Sequence, residues 1–320
     1  MIEFRTMRKS PKLGVQLAPR HAKGLALSSP VMIASGVAGY GEEYAEIVDI
    51  QQLGAIVCKG TTLMPRRGNA QPRLVETTGG VLNSVGLENI GIDALIREKA
   101  PVWAGWQVPV IVNVAGETID EYVAVSRKLE GVPGVTGVEL NISCPNISAG
   151  GMEFGVDPKL AAEVTSAVKA VTSLPVIVKL SPNVTDIRKI ALAVEEAGAD
   201  AVCLINTLRG MAIDIDRRKP SLGNIAGGVS GPVVKPVALY MVFETAEVVR
   251  IPVIGCGGIA SAEDALEFIM AGATAVEIGT ACLTSPDVCL TILDGLKRFM
   301  LNKGVENITE LIGVARHSWC

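Results

Sequence analysis

The chain has 320 residues, a formal net charge of −4, 49% hydrophobic residues, 34 glycines and only 4% aromatics. That length can bury a substantial core, and the mildly acidic balance offers no basic footprint for nucleic acid. No apolar run approaches the roughly 18 residues of a membrane span, and Arg5, Arg8 and Lys9 are followed by no apolar signal segment. A cytoplasmic protein without a membrane partner is therefore expected.

In chain order, short Val/Ile-rich runs fall at Val31–Ala34, Ala55–Cys58, Val110–Val112, Val138–Leu140, Val176–Val178, Ala201–Ile205, Val253–Gly255 and Ala275–Ile278. Each is followed by a longer amphipathic segment. The clearer helices are Pro158–Val171, Asp186–Ala197, Ser261–Met270 and Pro286–Asn302, opened by Asp, Ser or Pro and closed in places by Gly198, Gly272 and Gly304. Eight strand–helix units predict an α/β protein, a (β/α)8 TIM barrel, and residues 1–320 are expected to form one cofactor-binding domain. The pieces left over are a possible N-terminal hairpin at Leu13–Leu27 and long loops after strands 2 (Thr61–Leu82), 4 and 6 (Leu208–Gly231). Loops of that length in a compact domain are usually functional.

Barrel enzymes place their chemistry at the C-terminal ends of the strands. Those ends carry Ser35, Lys59, Asn113, Asn141, Lys179, Asn206 with Thr207, Gly257 with Gly258, and Gly279 with Thr280. A lysine at a strand end can be a snorkelling rim residue. Two lysines and three asparagines converging on one face are harder to dismiss, because each unpaired buried polar group costs about 1–3 kcal/mol. The glycines after strands 7 and 8 suit a phosphate, since backbone N–H groups can approach it closely. A G-x-G-x-x-G fingerprint at the first strand is absent, so binding of NAD or FAD in Rossmann fashion is not expected.

The seven cysteines include no C-x-x-C pair, so no zinc knuckle or iron–sulfur cluster is encoded and no metal ligands are assigned. Cys144 stands apart from the rest. In Asn141-Ile-Ser-Cys-Pro-Asn146 it lies between asparagines where the strand Gly137-Val-Glu-Leu-Asn-Ile gives way to a loop, stopped by Pro145. A lone cysteine is more often a small core hydrophobe than a catalyst. Its setting here points to a catalytic group.

These motifs resemble a known family. Asn141-Ile-Ser-Cys-Pro-Asn146, Asn83-Ser-Val-Gly-Leu87, Asn206-Thr-Leu-Arg-Gly-Met211, Gly228-Val-Ser-Gly-Pro232 with Lys235-Pro236, and Gly255-Cys-Gly-Gly-Ile259 are similar, in order, to dihydroorotate dehydrogenase. Cysteine at position 144 resembles the soluble class 1 enzymes. Gly150-Gly-Met-Glu-Phe-Gly155 and Arg217-Arg-Lys-Pro-Ser-Leu-Gly-Asn224 resemble type 1B. The segment Met1–Lys12 is longer than the family pattern and has no functional reading.

The resemblance implies a pyrimidine-biosynthesis oxidoreductase that oxidises dihydroorotate to orotate with FMN. It passes the electrons to NAD⁺ through a partner subunit carrying FAD and a 2Fe–2S cluster, in a heterotetramer of two catalytic and two electron-transfer subunits. FMN is implied to sit on Ser35, Lys59, Gly60, Asn113, Asn141, Lys179, Ile205, Gly231, Gly257, Gly258, Gly279 and Thr280. The substrate is implied to sit on Lys59, Asn83, Ser84, Val85, Gly86, Leu87, Asn141, Asn206 and Thr207. Cys144 is implied as the base that takes the C5 proton, and Lys179 as the cation by the flavin N1/O2 edge. Left open are another flavin-dependent pyrimidine dehydrogenase or reductase, a fumarate-using type 1A enzyme, and a Schiff-base aldolase using Lys179 or Lys59.

Overall fold

The computed structural model describes residues 10–142 and 154–316. Its centre is a closed barrel of eight parallel strands: β1 (Val31–Ile33), β2 (Ala55–Val57), β3 (Val110–Val114), β4 (Gly137–Asn141), β5 (Val176–Lys179), β6 (Ala201–Leu204), β7 (Val253–Cys256) and β8 (Ala275–Ile278). They pair in chain order, and β8 closes back onto β1 through Val276↔Val31 and Ile278↔Ile33. Every residue of these strands is buried. Helices cover the outside and side chains fill the inside, which is why the strands read as continuous Val/Ile runs rather than as alternating polar and apolar residues.

The helices hold the barrel from outside. The longer ones are α1 (Ile119–Leu129), α2 (Pro158–Lys169), α3 (Ile187–Glu196), α4 (Lys235–Val248), α5 (Ala262–Ala271) and α6 (Val288–Lys303). Thr118, Asp157 and Asp186 cap the first three through their side chains, and Ser261 with Asp264 forms a capping box on α5. Each such cap is worth about 1 kcal/mol and sets where its helix begins. Gly304 ends α6 in the left-handed region at φ 72°, a conformation a β-carbon disfavours. The helix after β2 is built of three joined pieces across residues 92–103.

The expected N-terminal hairpin is present. Val15–Gln16 pairs antiparallel with Ala26–Leu27, and Leu17, Leu25 and Leu27 are buried in the core. The expected long connections after β2 and β6 are present and carry short strands of their own. Leu74–Thr77 and Gly80–Asn83 form a hairpin whose second strand pairs with Gly227–Ser230, which in turn pairs with Leu208–Gly210. The two segments make one four-stranded antiparallel sheet over the catalytic face. The loop after β4 lies largely outside the described residues, as do Cys144 and residues 1–9.

Candidate active site

Strand register brings the polar groups together. Asn113 on β3 sits opposite Glu139 on β4, Asn141 on β4 opposite Lys179 on β5, Lys179 opposite Cys203 on β6, and Cys256 on β7 opposite Glu277 on β8. Side chains alternate along a strand, so Glu139 and Asn141 share a face and their partners line the same axis. Above them opens a cleft of about 880 Å³, within the usual size of a small-molecule site. Its wall includes Ser35, Lys59, Gly60, Asn113, Asn141, Lys179, Ile205, Gly231, Gly257, Gly258, Gly279 and Thr280, together with Asn83, Val85, Gly86, Leu87, Asn206 and Thr207.

One expected residue lies elsewhere. The Ser84 side chain is fully buried and does not line the cleft. Its hydroxyl accepts from Asn69 Nδ2 at 2.9 Å and from Asn224 Nδ2 at 3.1 Å. The Ser84 side chain ties the loop 83–87 to the segment around Asn224. Alternation along the chain puts Asn83 and Val85 toward the cleft and Ser84 away from it.

The floor of the cleft is a hydrogen-bonded chain of amides and charges. Asn206 Nδ2 donates to Asn141 Oδ1 at 3.2 Å, Asn141 Nδ2 to Asn113 Oδ1 at 3.4 Å, and Asn113 Nδ2 to Glu139 Oε1 at 2.6 Å. Lys179 Nζ donates to Glu277 Oε2 at 2.7 Å and stands 3.8 Å from Glu139 Oε2. The Tyr122 hydroxyl from α1 donates to the Asn141 carbonyl at 2.8 Å, pinning the end of β4. Each amide is therefore fixed in orientation before any ligand arrives.

Neither Glu139 nor Glu277 was picked out from the sequence, and both are completely buried. Burial first, and then the neighbouring Glu277 charge, push the Glu139 carboxyl well above its ordinary range. Burial alone would lower the Lys179 ammonium, but the thiols Cys203 and Cys256 and the carboxylates Glu139 and Glu277 outweigh it and hold Lys179 firmly protonated. Cys58, next to Lys59, is pushed up to about 12 by burial, so it is no nucleophile. A Schiff-base lysine must shed its proton near neutral pH, and this setting works against that for Lys179.

The other wall is glycine-rich. At Gly258, φ is 76° and a β-carbon would come within 2.7 Å of the Lys235 backbone nitrogen, so both conformation and packing require glycine there. At Gly279 a β-carbon would meet only Ala34 Cβ at 3.7 Å, so the protein's own packing does not demand glycine. The room kept beside Gly279 belongs to the cleft. With the hydroxyls of Ser35, Ser230 and Thr280 also lining the cleft, this donor set and this space suit a phosphorylated planar cofactor.

The opposite rim is more exposed. Lys59 Nζ lies 3.7 Å from Glu88 Oε2, and Arg73 Nη1 lies 3.2 Å from the same atom. Among the described residues, no helix is long and apolar enough to cross a membrane.

A closed (β/α)8 barrel with amides and a cation on its floor and a glycine cradle at β7 and β8 defines a cofactor-dependent barrel enzyme. Residues 18–300 match the family model described as dihydroorotate dehydrogenase. Among curated relatives, the chain is 52% identical over 295 residues to the dihydroorotate dehydrogenase B (NAD(+)) catalytic subunit of Desulforudis audaxviator, covering 92% of this chain and 96% of that one. It is 55% identical over 291 residues to the corresponding subunit of Desulforamulus reducens, covering 91% and 96%. A solved structure of the Eimeria tenella dihydroorotate dehydrogenase, in complex with ferulenol, superposes with a TM-score of 0.79 at 21% identity, over 98% of this chain and 90% of that one. The last likeness speaks for the fold, the first two for the family. The chain belongs to the dihydroorotate dehydrogenase family of oxidoreductases.

Proposed function

We propose that this chain is the catalytic subunit of an NAD⁺-linked dihydroorotate dehydrogenase, a single FMN-binding barrel domain that oxidises dihydroorotate to orotate in pyrimidine biosynthesis. The observation that carries the reading is the fixed amide chain Asn206–Asn141–Asn113 ending at the Glu139/Lys179/Glu277 cluster on the floor of one cleft. Amides offer both donors and acceptors, as the ring carbonyls and N–H groups of a pyrimidinedione require. Bound FMN supplies the hydride acceptor.

Everything else falls to the chain. Gly257, Gly258, Gly279 and Thr280 hold the phosphate, with Ser35, Lys59, Gly60, Ile205 and Gly231 along the rest of the cofactor. Asn113 and Asn141 present amides to the ring system. Lys179 places a permanent positive charge where electron density rises during the reaction. Asn83, Val85, Gly86 and Leu87 close over the substrate, whose ring is oriented by Asn141, Asn206 and Thr207. Cys144 takes the proton from C5 of the substrate as general base.

The curated relatives are named as catalytic subunits, which supports a partner that takes the electrons onward. That partner carries FAD and a 2Fe–2S cluster, in a complex of two catalytic and two electron-transfer subunits in the cytoplasm. The isolated chain should reduce ferricyanide or dyes with dihydroorotate and make little NADH, and adding the partner should restore NAD⁺ reduction. Efficient NAD⁺ reduction by the isolated chain would contradict this reading. Efficient fumarate reduction would make it a type 1A enzyme instead.

A further inference from the structure

Beneath the amide chain lies a charge problem that the reaction does not explain. Glu139 and Glu277 are both fully buried, and among the described residues Lys179 is the only cation within ion-pair distance of either. Two ionised carboxylates and one ammonium would leave a net negative charge in the barrel interior. Isolated buried charge is among the costliest features a fold can hold.

The hydrogen bonds show where the imbalance sits. Glu139 Oε1 accepts from Asn113, and Glu277 Oε2 accepts from Lys179. The remaining oxygens, Glu139 Oε2 and Glu277 Oε1, are buried and have no hydrogen-bond partner. Ligating atoms of Glu139, Glu277 and Cys203 lie within 4.8 Å of one another. The Glu139 and Glu277 carboxyl groups stand close enough to hydrogen-bond to one another, and a single proton between them removes the surplus charge. A metal ion is a poorer occupant, because the Lys179 ammonium is only 2.7 Å from Glu277 Oε2 and would repel it.

We propose that Glu139 is held as a neutral carboxylic acid that donates its proton to an ionised Glu277, so that Glu139, Glu277 and Lys179 together carry no net charge beneath the cofactor site. Glu139 and Glu277 are positioning residues: they act through Lys179 and Asn113 without touching substrate. The significance for redox chemistry rests on the FMN reading above, whereas the shared proton does not. Other titratable groups facing the pair are the thiols of Cys58, just past β2, and of Cys203 and Cys256 on β6 and β7. Cys58 and Cys203 are held neutral by burial. Cys256 is drawn the other way, chiefly by the Cys203 thiol. Burial first and then the neighbouring Glu277 charge raise Glu139, which makes it the natural proton holder.

Two readouts test this. In the full chain labelled with ¹³C-glutamate, infrared spectroscopy at neutral pH should show the C=O stretch of a protonated glutamic acid, with or without FMN, and E139Q and E277Q should each lose it. In E277Q, Glu139 ionises to become the partner of Lys179. Absence of the band in the wild-type chain overturns the proposal without relying on any variant's folding. In the FMN-loaded chain, either single Gln variant should change the reduced-to-oxidised ratio at fixed potential by less than about threefold, since the net charge is preserved. The double variant E139Q/E277Q leaves Lys179 unbalanced and should raise that ratio by more than about tenfold, the scale of one unscreened charge nearby. Single variants that each raise it by about half the double variant's change on a logarithmic scale would show that both carboxylates are ionised, and would overturn the proposal. If the band is present but the chain binds no FMN, the cofactor assignment fails and the shared proton stands.

Discussion

The floor of the cleft and its cover are built from opposite materials. On the floor, Asn113, Glu139 and Glu277 are inaccessible to solvent, Lys179 is 4% exposed, and the groups are presented inward by parallel barrel strands. On the cover, the antiparallel sheet from Leu74–Thr77 to Leu208–Gly210 carries the loop 83–87, and the neighbouring ion pair of Lys59 with Glu88 has side chains 29% and 46% exposed. Charges on the floor act at full strength because water is excluded, whereas those at the rim are screened.

The largest expected effect breaks the chemistry and leaves both regions standing. C144A should keep FMN and lose turnover by about 10²–10⁴-fold, read as the rate of flavin reduction by dihydroorotate, because removal of a general base costs that much. C144S should retain a small activity that rises with pH. Near wild-type flavin reduction by C144A would remove Cys144 from the mechanism.

Next comes the floor. K179M removes the cation that, among the described residues, pairs with both buried carboxyl groups, and should cost about 3–5 kcal/mol in urea unfolding. Its flavin potential should also fall, since reduced flavin loses the nearby positive charge. An unchanged potential would make Lys179 purely structural.

The buried acid gives a subtler, pH-dependent signature. Glu139 is raised by burial and by Glu277, so between the unfolded carboxyl pKa of about 4.3 and its higher folded value the native state holds a proton that the unfolded state has released. Wild-type stability should therefore fall relative to E139Q as pH rises through that window, by up to about 1.4 kcal/mol per pH unit, and the two should run parallel below it. Parallel curves across the whole range would place Glu139 among ordinary ionised carboxylates.

The smallest effect belongs to the rim. E88A, which frees Lys59 and Arg73 from a partly exposed pair, should change stability by no more than about 1 kcal/mol, with any kinetic change falling on KM rather than on kcat. A large loss of kcat would mean that the rim reaches the chemistry and that the division between the regions is wrong.

Legibility in the sequence follows the same division. Barrel strands, the N-terminal hairpin and the convergent strand-end residues were readable because each is a local pattern of Val/Ile runs, turn glycines and polar punctuation. The cover was not, because Asn83 pairs with Gly228 across 145 positions and no local period marks that partnership. Ser84 was grouped with its neighbours by motif, although alternation along the chain turns it inward. Glu139 and Glu277 sit in the middle of apolar runs, Gly137-Val-Glu-Leu and Ala275-Val-Glu-Ile. A charge inside a strand buried on both faces was the available signal, and it gains meaning once the closed barrel brings Lys179 Nζ within ion-pair distance of both carboxyl groups.

The central claim is that this cleft oxidises dihydroorotate through a bound flavin, and an anaerobic titration tests it most directly. The purified chain, reconstituted with FMN, should lose its oxidised-flavin absorbance on addition of dihydroorotate, one equivalent of substrate per flavin, and release orotate. A chain whose flavin is bleached by dithionite but left untouched by dihydroorotate would contradict the account.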